Sequence, residues 1–136
     1  MTRTHPLEHV EAILAVGIGG FAGSNLRYLV ELSVPSSLVA TMTVNVLGCF
    51  ALGVLSYEHR FRGTISATSR TLLATGFIAS FTTYSTFILD VLTTSPPVAV
   101  GYVLGSYTVG FGAVVAGRDT ARWITAVTPP ISEVND

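Results

Sequence analysis

The chain contains no lysine and only one cysteine, Cys49. A single cysteine excludes an internal disulfide and any multi-cysteine metal centre. Charge is scarce too: 11% of the 136 residues are charged, against ~25% in soluble domains. A soluble domain of this size would have fifteen charged side chains to cover its exterior; the alternative is that much of the exterior faces lipid. With a formal net charge of −1, no basic surface suggests nucleic acid. Acids are missing from the middle of every apolar run; the nearest, Asp90, stands at the end of one. His5, His9 and His59 fall in polar segments, and no acid pair, catalytic base or metal cluster lies in the apolar ones, which argues against an enzyme.

What the chain does have is apolar length. Hydrophobic residues make up 49%, mean hydropathy is +0.60, and uncharged runs cover 12–26, 32–57, 71–89 and 91–117. A membrane span needs about 20 mostly apolar residues. The pattern predicts one all-α membrane domain with four spans, near 10–31, 37–57, 71–93 and 97–117. Glu8 and Glu11 ahead of the first run, and Arg27 within it, argue against a secretory signal. Pro35 and Pro96–Pro97 stand where the second and fourth helices should begin. The stretch 58–70 reads as the longest internal loop, and the tail from Arg118 as a short exposed end.

Four spans put the N-terminus, the 58–70 loop and the C-terminus on one side. That side holds Arg3, Arg60, Arg62, Arg70, Arg118 and Arg122, and the opposite connections hold no arginine. The positive-inside rule then predicts that both termini are cytoplasmic.

Polar groups inside the spans need a reason, because hydrocarbon satisfies none of them. Gly19 and Gly23 in "GGFAGSNLRYLV" form a small-xxx-small pattern that permits close helix approach. Arg27, about two turns from its span's end, is either snorkelling to the interface or a cation at a wet entrance. Asn45 is too deep to snorkel, and either bonds another helix or presents its amide to a solute. The stretch "GFIASFTTYSTF", Gly76–Phe87, carries six hydroxyls in twelve residues. One or two would bond back to their own helix; six fit better at a helix break whose freed groups line a site. Tyr84 and Phe87, three apart, are either ordinary packing or electropositive ring edges turned to an anion. Neutral donors without acids point to a small anion, held loosely enough to leave.

Three of these segments, "GGFAGSNLRY", "TVNVLGCFALG" and "GFIASFTTYSTF", resemble in order and spacing the hallmarks of the Fluc (CrcB) fluoride channels. The resemblance covers nearly the whole chain. It implies a plasma-membrane antiparallel dimer with two pores, passing fluoride passively out of the cell, and a broken third helix. It implies a structural, untransported Na⁺ held by backbone carbonyls, which fall here at Ala79 and Thr82. It implies a fluoride pathway lined by Arg27, Asn45, Tyr84, Ser85, Thr86, Phe87, Tyr102 and Ser106. Some positions depart from the family pattern. Ala79 and Ser80 stand where glycines are common, Tyr84 where Phe is usual, and Gly110 and Val114 where Ser and Thr often occur. An antiparallel homodimer favours little arginine bias, so the one-sided arginines suggest a heterodimer with a homologue of opposite orientation. Two other classes compete. A small multidrug-type exporter needs an embedded glutamate, and a non-transporting assembly subunit would use Asn45 and the hydroxyls only to bind helices.

Overall fold

The computed structural model describes residues 6–127, so Arg3, His5 and the end of the tail lie outside the described residues. Four helical segments are long and apolar enough to cross a membrane: His9–Ser33, Ser37–Phe61, Ala67–Thr93 and Pro96–Val127. No strand occurs among the described residues.

The first helix, α1 (Pro6–Ser33), satisfies its polar side chains locally. Ser24 Oγ donates to Gly20 O (2.8 Å), Asn25 Nδ2 to Phe21 O (2.7 Å) and Ser33 Oγ to Leu29 O (2.7 Å). Such bonds let polar residues ride in an apolar helix without needing water. Helix α1 stops before Pro35, and α2 (Ser37–Phe61) starts after the extended Ser36. Its end is built by Gly63, whose φ of 59° a side chain would resist. The amides of Arg62 and Gly63 both donate to Glu58 O (2.9 Å each). Glu58 Oε1 then accepts from Thr64 N (2.6 Å), Thr64 Oγ1 (2.7 Å) and Ile65 N (2.8 Å), folding the loop back on the helix.

The third segment is assembled from pieces. A short α3 (Ala67–Arg70), N-capped by Ser66 (3.1 Å from Ser69 N), runs into a π-helical stretch, Thr71–Ile78. One turn, α4 (Ala79–Phe81), follows, then three non-helical residues, Thr82–Tyr84, then α5 (Ser85–Thr93). Helix α6 (Pro96–Val127) opens on its prolines. It continues ten residues beyond the span expected at 97–117, through the stretch the sequence reads as a tail. A fall in hydropathy marks where a span ends, not where a helix ends, and 118–127 contain no Gly or Pro to stop one.

Two pairs of elements make the bundle. Helix α1 lies against the π-helical stretch through glycines: a Cβ on Gly19 would collide with Leu72 O, and one on Gly23 with Phe77 O. Helix α2 lies against α6 the same way, with Gly53 on the Val114 carbonyl and Gly117 on the Phe50 carbonyl. In lipid there is no hydrophobic drive between helices, so this backbone-to-backbone approach supplies the dispersion contact that holds them. Large apolar side chains are exposed on every segment, as lipid or a protein partner requires.

The connections fix the ends of the bundle. Thr68 Oγ1 donates to Glu11 Oε1 (2.7 Å), Arg70 meets His59, and Arg62 Nη2 reaches Thr125 O (3.5 Å). The start of α1, the 58–70 loop and the end of α6 therefore share one end. At the other end, Ser37 Oγ donates to Asp90 Oδ1 (2.6 Å), joining the start of α2 to α5.

Candidate ion pathway

The non-helical residues Thr82–Tyr84 are held from outside their own helix. Thr82 is extended (φ −79°, ψ 159°), which carries the chain out of the helical ladder. Asn45, on α2, then pairs with the Thr83 backbone at both atoms: Nδ2 donates to Thr83 O (2.9 Å) and Oδ1 accepts from Thr83 N (2.8 Å). A primary amide carries the same donor and acceptor as a peptide group, so Asn45 replaces two lost helical bonds at once. Thr83 Oγ1 accepts from Thr86 N (3.3 Å) and donates to Thr86 Oγ1 (3.0 Å), capping the start of α5.

These bonds have a second effect. In an unbroken helix, Thr83 N would close on Ala79 O, and Thr86 N on Thr82 O. Here both amides are engaged elsewhere, with Asn45 and with Thr83 Oγ1. The carbonyls of Ala79 and Thr82 are thereby relieved of those partners. Neither departure from glycine strains the backbone. Ala79 is right-handed helical (φ −64°, ψ −29°), and Gly63 is the described residue with positive φ. Ser80 is accommodated by Gly20, where a Cβ would approach Ser80 Oγ to 3.2 Å.

Beside the break lies a cavity of about 270 Å³. Asn45 and Cys49 line it from α2, Tyr84 and Phe87 from α5 and its start, and Ser106, Tyr107, Gly110, Phe111 and Val114 from α6. No lining residue is charged. The rings form a connected set: Tyr84 and Phe87 stack at 6.0 Å, Phe87 meets Tyr102 at 5.2 Å, and Tyr107 stands edge-on to Phe87 at 6.1 Å. Ser106 Oγ is enclosed at the cavity wall, next to the Tyr102 hydroxyl. A serine hydroxyl has one proton to donate, so a solute able to accept from it is favoured there.

The expected pathway residues divide by location. Asn45, Tyr84, Phe87 and Ser106 come together at the cavity. Tyr102 is buried just behind, its ring on Phe87 and its hydroxyl donating to Asp90 Oδ2 (3.4 Å). Ser85 and Thr86 sit by Thr83 at the start of α5 and do not line the cavity. Ala79 opens the single turn before the non-helical residues, and Thr82 is the first of them. Arg27 lies apart on α1, paired with Glu31 (3.7 Å). Cys49, Tyr107 and Phe111 line the cavity although the sequence reading did not single them out. A helical signal was available: Cys49 follows Asn45 by four residues, and Phe111 follows Tyr107 by four.

Two predictions arise from these contacts. Asp90 is buried and takes hydroxyls from Ser37 and Tyr102, so Asp90→Ala removes an acceptor from each. We expect a loss of about 1–3 kcal/mol, read as earlier thermal aggregation in detergent, with Asp90→Asn intermediate. Gly110→Ser, by contrast, is expected to be tolerated. Its Cβ would sit 3.6 Å from Cys49 Sγ, ordinary contact, and its hydroxyl would add a donor to the cavity wall. Its melting temperature should match or exceed the parent's, since serine suits a helix better than glycine by about 0.5 kcal/mol.

The bundle and its uncharged cavity define a small multi-pass membrane protein with an interhelical chamber of neutral donors. The chain belongs to the family of CrcB-like proteins, Camphor Resistance (CrcB), whose profile matches residues 14–118. It is 52% identical over 122 residues to fluoride-specific ion channel FluC 1 of Haloarcula marismortui, covering 90% of this chain and 94% of that one. It is 38% identical over 113 residues to FluC 1 of Natronomonas pharaonis, covering 82% and 95%. It is 38% identical over 107 residues to FluC 2 of Halobacterium salinarum, covering 78% and 83%.

Proposed function

We propose that this chain is a subunit of a fluoride channel that lets F⁻ leave the cytoplasm passively. The carrying observation is the cavity wall: the enclosed Ser106 hydroxyl, the Asn45 amide and the Tyr84 and Phe87 rings, with no charge among them. Asn45 spends one amide hydrogen on Thr83 O and keeps the other for a solute. Ring edges carry positive potential and favour an anion weakly. Together they replace hydration without binding too tightly to release, as permeation requires. The relatives' names as fluoride channels support the same solute. A multidrug-type exporter would need an acid in its chamber. The buried acid among the described residues, Asp90, is away from the cavity lining and engaged by two hydroxyls.

The working unit in this reading is an antiparallel dimer. Tyr84 and Phe111 line the cavity yet are 69% and 70% exposed, so one chain leaves the wall open. The partner is a homologue of opposite orientation, since the described arginines other than Arg27 lie on one side and favour one insertion, with both termini cytoplasmic. Relatives numbered 1 and 2 support paired chains. The carbonyls of Ala79 and Thr82, relieved of their helical donors, fit a hard cation such as Na⁺. They would hold it together with carbonyls of the partner, and the ion would supply fixed positive charge that pins the two breaks together.

Fluoride efflux from reconstituted liposomes, with the chain alone and with a paired homologue, tests the reading. Flux selective for fluoride over chloride is expected. Absence of fluoride flux in both formats would sink it.

A further inference from the structure

The cytoplasmic-side assignment leaves the last turns of α6 unexplained. At about 1.5 Å per residue, 32 residues reach about 48 Å, well beyond the ~30 Å hydrocarbon core. The surplus is not generic tail. It carries Arg118 and Arg122, with Trp123 68% exposed between Arg122 and the exposed Ile124. The end of α2 is brought beside it, since Arg62 Nη2 reaches Thr125 O and Ala121 is buried in the bundle. That end adds Arg60, which lies over the exposed Phe61 ring at 6.0 Å. Acidic groups do little to neutralise this rim. Glu58 is turned to Thr64 and Ile65, Glu11 to Thr68, and the Arg118–Asp119 pair is open to water at 3.7 Å. An exposed pair of that kind is weak and leaves its arginine available.

We propose that this rim, formed by the ends of α2 and α6, binds the headgroup phosphates of anionic phospholipids. Trp123 and Phe61 seat at the level of the headgroups, as amphipathic rings do. Arg118, Arg122 and Arg60 then face the phosphates, which guanidinium groups grip through paired hydrogen bonds. A zwitterionic lipid offers the same phosphate but cancels its charge, so the rim prefers the anionic one. The site lies at the far end of the bundle from Asp90 and outside the cavity, so it is separate from the ion pathway. It anchors the depth and tilt of α6, which supplies one wall of that pathway.

Trp123 is the chain's single tryptophan and serves as the reporter. The full-length chain is reconstituted into phosphatidylcholine vesicles with a fixed minor fraction of brominated lipid, either phosphatidylglycerol or phosphatidylcholine. Brominated phosphatidylglycerol should quench Trp123 as though enriched at least about fivefold, the factor expected for one arginine near an anionic surface. The enrichment should vanish at about 1 M salt, where exposed charges are screened beyond ~3 Å. It should also fall clearly in Arg118→Gln/Arg122→Gln, which leaves only Arg60 of the three, while quenching by brominated phosphatidylcholine is retained. Equal quenching by the two lipids overturns the proposal, and points to unselective lipid contact or to a protein partner. A preference that survives high salt overturns it too. Should the double variant fail to insert, the salt titration of the parent chain decides alone. Fluoride flux is not the readout, so a silent channel leaves this test intact.

Discussion

Asn45→Ala should slow fluoride efflux by about 100-fold or more and lower stability in the same stroke. The truncation strips both partners from the Thr83 backbone, at 2.9 and 2.8 Å, and leaves a buried N–H and C=O unmet. Each unmet group costs about 1–3 kcal/mol. The Thr82–Tyr84 backbone can recover only by moving, and Tyr84 moves with it. In the proposed channel, the same truncation removes the amide hydrogen left for the anion. Losing about 2.7 kcal/mol of stabilisation at the narrowest step is already 100-fold in rate. Asn45→Asp should be at least as damaging. Its carboxylate can still accept from Thr83 N but faces Thr83 O with a second oxygen, and it places an unpaired negative charge in the cavity. Flux should be lost at least as completely, and the melting temperature should fall as well. Efflux from liposomes beside thermal aggregation in detergent reads both. Near-parental flux in Asn45→Ala would show that the amide serves packing alone.

Gly117→Val is expected to abolish the folded protein. A Cβ there would overlap the Phe50 carbonyl, and neither backbone can yield without parting α2 from α6. Overpacking of this kind costs about 1–3 kcal/mol in a compliant core and more where the obstacle is backbone. Gly53→Val should behave alike, because its Cβ meets the Val114 carbonyl. The control is Gly112→Ala, five residues along the same helix. Nothing lies within 4 Å of its Cβ position, so the substitution should stabilise by about 0.5–1 kcal/mol through helix propensity. Recovery of monodisperse protein after detergent extraction compares the three. Equal yields from Gly117→Val and Gly112→Ala would show that the close approach of α2 and α6 is not what holds the bundle.

Much of this arrangement was legible because lipid simplifies the code. Uncharged runs had to be helices, and the four spans follow from length alone. Gly19 and Gly23 spoke through their spacing, and they do meet the third segment backbone to backbone. The limits of hydropathy show at Arg118–Val127, where a helix persists in a sequence too polar for a span. The π-helical stretch Thr71–Ile78 was illegible, since residues such as Leu72, Ala74 and Phe77 suit either helix. Asn45 left two readings open: the geometry shows the interhelical bond, to the Thr83 backbone, and places the same side chain at the cavity. A lone cysteine speaks only to disulfides, whereas the four-residue step from Asn45 to Cys49 is the feature that puts both on the cavity side of α2. Arg27 stands on α1, which contributes no residue to the cavity lining, beside Glu31 one turn on.

The contact between Ser80 and Gly20 has an evolutionary reading. The two positions share one small volume: where residue 80 carries a hydroxymethyl group, residue 20 has no side chain at all. A relative with glycine at 80 is free to carry alanine or serine at 20, and the sum of the two volumes is what selection should hold fixed. Size at these sites should therefore trade off between lineages as a linked pair. The departure at Ser80 then marks which partner of the pair holds the bulk, and leaves the spacing of the two helices unchanged.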